Sequence, residues 1–501
     1  MSAGGNAVDA AIAAIATQGV VAPETCGIGG DLFALVHYPG WSEPKALNSS
    51  GRAGSHADPG QLRAMGHQTI PRDHPMSVTV PGCVAGMEAL NRALGSMSLA
   101  DCLAPAIEHA TVGFEVSAEQ VRAFSATAGL YRHDPAVAGF YPDGEPVAQG
   151  MQVQRPELAR TLSSIASDGS SSFYTGTPAR DIVESLGGVI TLDDLAAPIA
   201  EWVEPISAEV AGLTAWTIPP NSQGYLGPAT LAVFEMTDPP DHPESPDWWH
   251  LLIEAYRCVA WERDDLVADP SHAPLPPTKL LEHERLQRAA ATIDRERAGV
   301  WPHQEVGPDS TAYLCAVDDS GLSVSVIQSN YNGTGSAFGA AHSGFLLQDR
   351  ARGFTLTPGH PNEMRPGKRP LHTLSPTIWT AGKETRWVLG TRGGGVQPQL
   401  IAQIAARVMM AGQSLDSAQE APRWTVQEFG PFAHPNLSTE PGVPEPIVSA
   451  LRKKGHEVTV LANRQPGWGP ISIIGVDGDD RQTARDPRVD TTKAALIAGR
   501  L

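Results

Sequence analysis

The chain has 501 residues, of which 36 are Lys or Arg and 55 are Asp or Glu, giving a formal net charge of −19. This acidic balance, with no basic tract, argues against a nucleic-acid partner. Apolar residues at 41% exclude a disordered chain, and 50 Gly with 43 Pro are too many for a coiled coil. The length allows about three domains or one large layered α/β fold, and no linker marks a boundary.

The first predicted element is a buried helix. Asn6 can cap a helix whose following residues, as far as Thr17, are nearly all small and apolar. No run in the chain reaches the roughly 20 apolar residues that a membrane span requires. The first residues also lack the positive region of a secretory signal. The sequence as written therefore predicts a cytoplasmic protein, or a periplasmic or secreted one if the true start lies upstream.

A glycine-rich turn leading into a strand follows at Cys26–His37. The turn lacks the lysine of a P-loop and the spacing of a dinucleotide-binding motif, so it predicts a structural turn and no cofactor site. Helical periodicity covers Ser98–Ala110 and Pro246–Val267, while Gly187–Ile199 predicts a strand and then a short capped helix. The five cysteines form no CxxC pair and the histidines show no HExxH spacing, so the sequence indicates neither a disulfide framework nor a metal site.

A β-hairpin is predicted to bring Thr311 and Ser329 together. Two strand-like segments with alternating apolar residues flank a turn at Asp318–Gly321. A two-residue loop would place Thr311 opposite Gln328, and a three-residue loop would place it opposite Ser329. In the second register the Ser329 hydroxyl can reach Thr311.

Thr311 stands at the first position of its strand, after a loop-like segment. If the Ser310–Thr311 bond is cut, the new α-amine lies beside the hydroxyl of the same residue. Its ordinary pKa of about 8 suits a general base near neutral pH. One residue would then supply both the nucleophile and the base. On the hairpin alone, however, an ordinary strand threonine explains the pattern more simply.

The chain resembles the γ-glutamyltransferase family over nearly its whole length. The segments that carry the resemblance, in the family's order, are Gly4–Ala11, Cys26–Phe33, Ser77–Gly86, His250–Arg257, Asp309–Tyr313, Ser343–Leu347, Lys368–Thr377, Gly390–Gly395 and Asp486–Arg488. The resemblance implies an α/β fold of the N-terminal nucleophile hydrolase type, a four-layer αββα sandwich. It also implies cleavage between Ser310 and Thr311 into a large chain, 1–310, and a small chain, 311–501, which interleave into one compact unit.

Carried over by position, the family's nucleophile falls at Thr311 and its helper hydroxyl at Ser329. Gly393 and Gly394 fall at the glycines whose backbone N–H groups form the oxyanion hole. The resemblance implies a heterodimer of the two cleaved chains and leaves a dimer of heterodimers open. It implies a small-molecule amide substrate, and no cofactor, metal, nucleic acid or membrane as partner.

The sequence departs from the family where a γ-glutamyl substrate would be recognised. The family's groups that hold the substrate ammonium fall at Arg350 and Gly353, so a cation replaces an ammonium-binding group. The family's asparagine near the helper hydroxyl falls at Tyr331, with Asn332 one place away. We therefore expect the ammonium of a γ-glutamyl group to be poorly held.

The groups that would bind the substrate carboxylate also differ. The family's paired serines fall at His372 and Thr373, and its carboxylate-binding arginine has no match, although Arg52 lies nearby in the sequence. Arg350 and Arg52 are candidates for binding a carboxylate that has no neighbouring ammonium, since a guanidinium matches carboxylate geometry. An ordinary ion pair is the open alternative for each of them.

Two further segments, Asn48–Ala53 and Pro219–Gly224, resemble a branch of the superfamily that includes oxamate amidohydrolases and glutaryl-cephalosporin acylases. The favoured interpretation is a self-cleaving amidohydrolase or acyltransferase that passes a small carboxylated acyl group through an acyl-threonine ester. True γ-glutamyl transfer or hydrolysis of glutathione is one alternative. The other is an uncleaved, catalytically silent family member that serves as a binding protein.

Overall fold

The structure is a computed structural model that describes residues 1, 3–301, 304–305, 310–429, 436–489 and 495. Residues 304–305, 310 and 427–429 are described by their backbone. Over these ranges, no helix is long and apolar enough to cross a membrane.

Helices occur along the whole described chain and are mostly short. In chain order they are α1 (Ala7–Val21), α2 (Pro59–Ala64), α3 (Cys83–Leu94), α4 (Leu99–Val112), α5 (Ala118–Ala126), α6 (Ala128–Tyr131), α7 (Pro156–Asp168), α8 (Ser171–Tyr174), α9 (Thr177–Ser185), α10 (Leu192–Ala196), α11 (Leu226–Met236), α12 (Pro246–Ala260), α13 (Arg263–Leu266), α14 (His283–Ala290), α15 (Gln397–Ala405), α16 (Leu415–Glu420) and α17 (Glu445–Lys453). Short 3₁₀ helices lie at Pro75–Ser77, Pro135–Phe140, Pro142–Gly144, Pro277–Leu281, Arg350–Gly353, Gly394–Val396 and Pro466–Trp468, and a π-helical turn at Ala406–Met410.

Strands alternate with these helices. They are β1 (Asp31–His37), β2 (Lys45–Ser49), β3 (Phe114–Glu115), β4 (Gln152–Val153), β5 (Glu201–Val203), β6 (Ile206–Val210), β7 (Leu213–Thr217), β8 (Gln304–Glu305), β9 (Ser310–Val317), β10 (Ser323–Tyr331), β11 (Gly339–Ala340), β12 (Phe345–Leu346), β13 (Thr377–Ala381), β14 (Glu384–Thr391), β15 (Trp424–Phe429), β16 (Asn436–Thr439), β17 (Glu457–Val460), β18 (Ile471–Asp477) and β19 (Asp480–Thr483).

One central sheet has five antiparallel strands in the order β5-β2-β1-β10-β9. Successive side chains of a strand point to opposite faces. In the middle strand β1, Phe33 and Leu35 belong to one apolar cluster, whereas Leu32 and Ala34 belong to another on the opposite face. Both faces of this sheet are therefore buried, which explains why β1 is apolar almost throughout.

The second central sheet has six antiparallel strands in the order β19-β18-β14-β13-β7-β6. Ile378 of β13 and Val388 of β14 share an apolar cluster with Phe33 and Ile327 of the five-stranded sheet. The two sheets therefore pack face to face, and the cluster between them forms the centre of the core.

Helices cover the outer faces of both sheets. α1, α3, α4 and α7 share an apolar cluster with β1 and β10, and α11, α12, α15 and α17 share another with β13, β14 and β18. The order of layers is helix, sheet, sheet, helix, which confirms the predicted αββα sandwich. A four-stranded sheet, β17-β16-β15-β8, and the two-stranded sheets β11-β12 and β3-β4 accompany this core.

Each central sheet draws strands from both sides of the Ser310–Thr311 bond. In the five-stranded sheet β1, β2 and β5 precede this bond, while β10 and all of β9 after its first residue follow it. In the six-stranded sheet β6 and β7 precede it and the other four strands follow it. Residues 1–310 and 311–501 therefore interleave, while their separation into two chains stays a prediction.

The predicted buried helix is α1. The side chain of Asn6 accepts hydrogen bonds from the N–H groups of Val8 and Asp9, and the Asp9 carboxylate accepts from the Asn6 N–H at 2.9 Å. This reciprocal capping satisfies backbone donors that a helix start leaves without partners. The two other predicted helices are present as α4 and as α12 followed by α13.

The prediction for Gly187–Ile199 is half wrong. The short helix is present as α10, capped by Thr191, but residues 187–190 form a turn instead of a strand. Gly187 and Gly188 have φ angles of 58° and 79°, in the left-handed region that a strand does not use. Two adjacent glycines at such angles end α9 and reverse the chain.

Candidate active site

Thr311 and Ser329 face each other across the hairpin of β9 and β10. Their strands pair with Ser323 opposite Val317, which is the register of the three-residue loop. Thr311 Oγ1 donates to Ser329 Oγ at 3.3 Å, and the two residues are 1% and 0% exposed. The contact that the hairpin register predicts is therefore present, and both hydroxyls are shielded from bulk water.

The Ser329 hydroxyl accepts further hydrogen bonds from its surroundings. The backbone N–H of Tyr331 donates to Ser329 Oγ at 2.8 Å, across an irregularity in the β9–β10 pairing. Tyr331 has φ of 75°, an uncommon value for a residue with a Cβ. This strained backbone turns the Tyr331 N–H toward the side chain two residues earlier, and so it belongs to the geometry of the site.

Arg350 lies next to the two hydroxyls and is 0% exposed. Its Nη2 donates to Ser329 Oγ at 3.4 Å, and its Nη1 donates to Thr373 Oγ1 at 3.2 Å. The guanidinium carbon lies 4.0 Å from the centre of the Tyr331 ring, which is within the range of a cation–π contact. Ser329 therefore contacts the hydroxyl of Thr311 directly, and three further predicted site residues are linked to it through Ser329: Tyr331, Arg350 and, through Arg350, Thr373.

His372 lies beside this group but its side chain is engaged elsewhere. Nε2 of His372 lies 3.1 Å from Oδ2 of Asp31, and both side chains are fully buried. Burial, aided by the nearby charge of Arg350, lowers the pKa of His372 to about 3, so the imidazole is neutral at ordinary pH and donates to the carboxylate. The observed partner of the His372 side chain is Asp31, and its contact with substrate stays a prediction.

Asn332 is also held away from the hydroxyls. Its backbone N–H and its side-chain Nδ2 both donate to the carboxylate of Asp349, at 2.9 and 3.2 Å. Burial raises the pKa of Asp349, and Arg352 pairs with the same carboxylate at 3.1 Å. The carbonyl of Gly353, the other departure from the family, accepts from the side chain of Asn362 at 2.6 Å. These contacts shape the turn that carries Arg350.

Gly393 and Gly394 form a buried turn at the start of a 3₁₀ helix. Their φ angles are 123° and 55°, which only glycine adopts without strain. Gln223 Nε2 donates to the carbonyl of Gly394 at 3.2 Å and to the carbonyl of Thr373 at 3.2 Å. Gln223 therefore links the glycine turn to Thr373. The Thr373 hydroxyl accepts a hydrogen bond from Arg350, which also contacts Ser329.

Arg52 is the predicted site residue that the structure assigns to another environment. Its guanidinium pairs with Glu201 at 2.9 Å and with Asp269 at 3.3 Å, and it donates to the carbonyl of Gly367. Two carboxylates already compensate its charge, and the side chain is 36% exposed. These contacts are those of the ion-pair alternative, and binding of the substrate carboxylate by Arg52 stays a prediction.

The predicted cleavage site is described in part. The backbone of Ser310 pairs with Tyr331 at the start of β9, and residues 306–309 before it lie outside the described residues. The predicted loop before Thr311 lies partly outside the described residues, at 302–303 and 306–309. It is wrong at 304–305, which form β8, and at Ser310, which already belongs to β9. Within the described ranges, no three histidine, cysteine or carboxylate side chains are grouped so that they could hold a metal ion.

Three supporting residues were missed by reasoning from the sequence: Asp31, Asn221 and Gln223. Asp31 accepts from the N–H of Gly51 and from Gln348 in addition to His372. Asn221 accepts from Asn48 Nδ2 at 2.9 Å, so it joins the two segments that resemble the acylase branch. Each residue carries a signal in the sequence. Asp31 is a charged residue at the start of an apolar strand, and Asn221 and Gln223 are polar residues that follow two prolines; such residues are unusual in a core.

Known proteins with similar sequences are consistent with this site. A sequence profile described as gamma-glutamyltranspeptidase matches residues 1–496. The glutathione hydrolase-like YwrD proenzyme of Bacillus subtilis (strain 168) is 35% identical over 495 residues, covering 97% of this chain and 93% of the relative. The oxamate amidohydrolase proenzyme of Klebsiella pneumoniae subsp. pneumoniae is 34% identical, again covering 97% and 93%.

A solved structure with a similar fold supports the same family. The crystal structure of cephalosporin acylase from Bacillus halodurans superposes with a TM-score of 0.90 at 32% identity, covering 100% of this chain and 93% of that one. The profile match along almost the whole sequence and two relatives above 30% identity confirm the resemblance: the chain belongs to the gamma-glutamyltranspeptidase family.

Proposed function

We propose that this enzyme is an amidohydrolase or acyltransferase in which Thr311, freed by self-cleavage, attacks the amide of a small carboxylated acyl group. The observation that carries the proposal is the contact between Thr311 Oγ1 and Ser329 Oγ beside the buried cation of Arg350. Relatives named as an oxamate amidohydrolase proenzyme and a glutathione hydrolase-like proenzyme support both the chemistry and the maturation step.

Maturation would use the same hydroxyl as turnover. Thr311 Oγ1 attacks the carbonyl carbon of Ser310, the peptide C–N bond breaks, and the acyl group moves from nitrogen to oxygen. Water then hydrolyses this ester and leaves a carboxylate on Ser310 and an α-amine on Thr311. The sequence of steps consumes one water and needs no other reactant.

In turnover, the α-amine of Thr311 accepts the hydroxyl proton as Oγ1 attacks the substrate carbonyl. The amine then passes that proton to the leaving nitrogen, and an acyl-threonine ester forms. Water, or an acceptor amine, releases the acyl group and restores the hydroxyl. Ser329 would orient Thr311 Oγ1, because its own oxygen is held by the N–H of Tyr331 and by Arg350.

The negative charge of the tetrahedral intermediate requires donors that are already in place. Backbone N–H groups of the turn at Gly393 and Gly394 are the proposed donors, and the positive φ angles of both residues set their directions. The turn is buried and is linked to Thr373 through Gln223, so it is rigidly related to the nucleophile.

Arg350 is the proposed recognition group for the acyl carboxylate. It is fully buried. Ser329 Oγ lies 3.4 Å from Nη2 of Arg350 and 3.3 Å from Oγ1 of Thr311, so one hydroxyl joins the cation to Thr311. A guanidinium at this position favours an acyl group that carries a carboxylate and repels one that also carries an ammonium. Glutaryl and oxalyl amides are therefore the proposed donor class.

Intact mass spectrometry and a donor panel test the proposal. The wild-type protein should separate under denaturing conditions into residues 1–310 and 311–501, which remain associated in native buffer because both contribute strands to each sheet. Thr311→Ala should stay one chain and be inactive, whereas Thr311→Ser should retain some cleavage. The panel comprises oxamate, glutaryl amides, γ-glutamyl anilide, glutathione and acyl-homoserine lactones, with release of the amine or ammonia followed for each donor. Full turnover by Thr311→Ala would refute the proposal.

A further inference from the structure

One glutamine, Gln223, connects the two sides of the candidate active site. Its Nε2 donates to the carbonyls of Thr373, Gly394 and Gly395, at 3.2, 3.2 and 3.4 Å. Its Oε1 accepts from Nη1 of Arg263 at 3.2 Å. Gln223 is 0% exposed, so water cannot replace any of these partners without opening the core.

The orientation of this amide is unambiguous. Three carbonyl oxygens face one end of the side chain and a guanidinium N–H faces the other. If the amide were rotated by half a turn, its oxygen would meet carbonyl oxygens and its NH₂ would meet the N–H of Arg263, and all four contacts would become repulsive. Arg263 therefore selects the orientation in which Gln223 can hold the glycine turn.

The backbone of the same segment is fixed as well. The N–H of Gln223 donates to the carbonyl of His372 at 2.8 Å, and the N–H of His372 donates to the carbonyl of Asn221 at 2.8 Å. The Ser222 hydroxyl adds a bond to the carbonyl of Leu374 at 2.5 Å. The side chain of Gln223 therefore projects from a segment that is anchored to residues 372–374, which include Thr373.

Holding these carbonyls also sets the direction of the N–H groups in the turn. A peptide group is planar, so fixing its C=O fixes the N–H of the next residue on the opposite side. By holding the carbonyls of Gly394 and Gly395, Gln223 fixes the N–H groups of Gly395 and Val396. The N–H of Val396 in turn donates to the carbonyl of Gly393 at 3.1 Å, and this bond fixes the N–H of Gly394. Three successive peptide planes are thereby fixed in a turn whose glycines have no side chains to hold them.

We propose that Gln223 is a positioning residue that fixes the oxyanion-binding turn, and that Arg263 sets the orientation of its amide. The inference rests on the proposed function, because it assigns oxyanion binding to the turn at Gly393 and Gly394. It goes beyond that function by making the 1–310 segment responsible for the geometry of a site whose nucleophile and oxyanion donors belong to 311–501.

The test uses the mature two-chain enzyme and the panel donor with the highest rate. Gln223→Leu should lower kcat between about 10-fold and about 100-fold with little change in KM, since outright removal of one oxyanion donor costs ~10²–10³ in kcat. Gln403→Leu is the matched control. Gln403 is another buried glutamine, whose amide holds the backbone of Trp424. It lies near the C-terminal end of α15, whereas the turn precedes the N-terminal end, so its loss should reduce stability and leave kcat close to the parent.

A second variant and a double mutant distinguish positioning from a general packing defect. Gln223→Glu keeps the size of the side chain but directs a carboxylate oxygen at the carbonyls of Gly394 and Thr373, so kcat should fall at least as far as in Gln223→Leu. Arg263→Met should lower kcat less than Gln223→Leu, and the double variant should be no slower than Gln223→Leu alone, because both residues act on one turn.

The outcomes separate this inference from the proposed function. If Thr311→Ala is inactive but Gln223→Leu keeps the parental kcat, the inference is wrong and the function stands. The inference is also wrong if Gln223→Leu changes only KM. It is wrong as well if Gln223→Leu and Gln403→Leu are equally stable and show the same loss of kcat. Turnover by Thr311→Ala would instead remove the function on which the inference rests.

Discussion

The guanidinium of Arg350 lies over the ring of Tyr331, with its central carbon 4.0 Å from the ring centre. The same tyrosine donates its backbone N–H to Ser329, and the same arginine donates to the Ser329 hydroxyl. The ring and the backbone of one strained residue therefore fix both a cation and the hydroxyl beside Thr311. A change in the position of either side chain is therefore expected to affect the other.

The first prediction concerns donor preference. Arg350→Gln should lower kcat/KM for glutaryl and oxalyl amides at least about tenfold, because a buried charged hydrogen bond is lost. It should raise kcat/KM for γ-glutamyl anilide, because two cations about 4 Å apart repel by about 4 kcal/mol at an effective dielectric of 20. Amine release measures both. Arg365→Gln, which removes an exposed arginine, is the control. If Arg350→Gln left the ratio of kcat/KM between the two donors unchanged, Arg350 would not discriminate between substrate charges.

The second prediction concerns Ser329. Ser329→Ala should slow both self-cleavage and turnover at least about tenfold, because Thr311 Oγ1 loses the partner that orients it. The rates are followed by a denaturing gel and by amine release. Ser323→Ala, at the other end of β10 and equally buried, should leave both rates near the parent. Equal effects of the two substitutions would mean that the loss comes from strand packing.

The third prediction concerns the pH dependence of turnover. The α-amine of Thr311 must be unprotonated to act as base, so the rate should rise with pH through the pKa of this amine. A nearby positive charge disfavours an ammonium, so we expect Arg350 to favour the unprotonated amine. Arg350→Gln should therefore shift the acidic limb of the kcat/KM profile to higher pH. His372, with a pKa of about 3, should contribute no limb above pH 5.

The fourth prediction concerns the stability of the site. Asp31→Ala should lower the free energy of unfolding by about 3–5 kcal/mol, because His372, Gln348 and the N–H of Gly51 all lose a buried acceptor. Urea unfolding of the Thr311→Ala background, which keeps the protein as one chain, measures the effect. Asp73→Ala, at an exposed position, should change the stability by less than about 0.5 kcal/mol.

The fifth prediction concerns Glu24, which is buried after α1. Burial, with the nearby charge of Glu119, raises the pKa of this carboxyl to about 8, against the opposing effect of Arg392 and Arg155. The folded protein keeps this proton between pH 4.5 and 8 while the unfolded chain releases it, so stability should fall as pH rises through that range. Glu24→Gln should reduce this fall, and urea unfolding at pH 5 and pH 8 measures it. A stability difference between the two proteins that is the same at both pH values would contradict the assigned pKa.

The contact between Thr311 and Ser329 was narrowed to two registers by the sequence, because it depends on local rules. Alternating apolar residues specify two strands, and the structure has the three-residue loop, which places Thr311 opposite Ser329. The capped helix after Asn6 is local in the same sense. The layered fold followed from the resemblance, since many segments in the family's order constrain the fold together.

The surroundings of the arginines and of His372 were decided only by the tertiary structure. Arg52 and Arg350 are both candidate carboxylate ligands in the sequence, yet one meets Glu201 and Asp269 while the other is buried beside Ser329. His372 meets Asp31, which lies 341 residues earlier in the chain. Whether a charged side chain is already compensated depends on which segments the two sheets bring together, and no local pattern encodes that pairing.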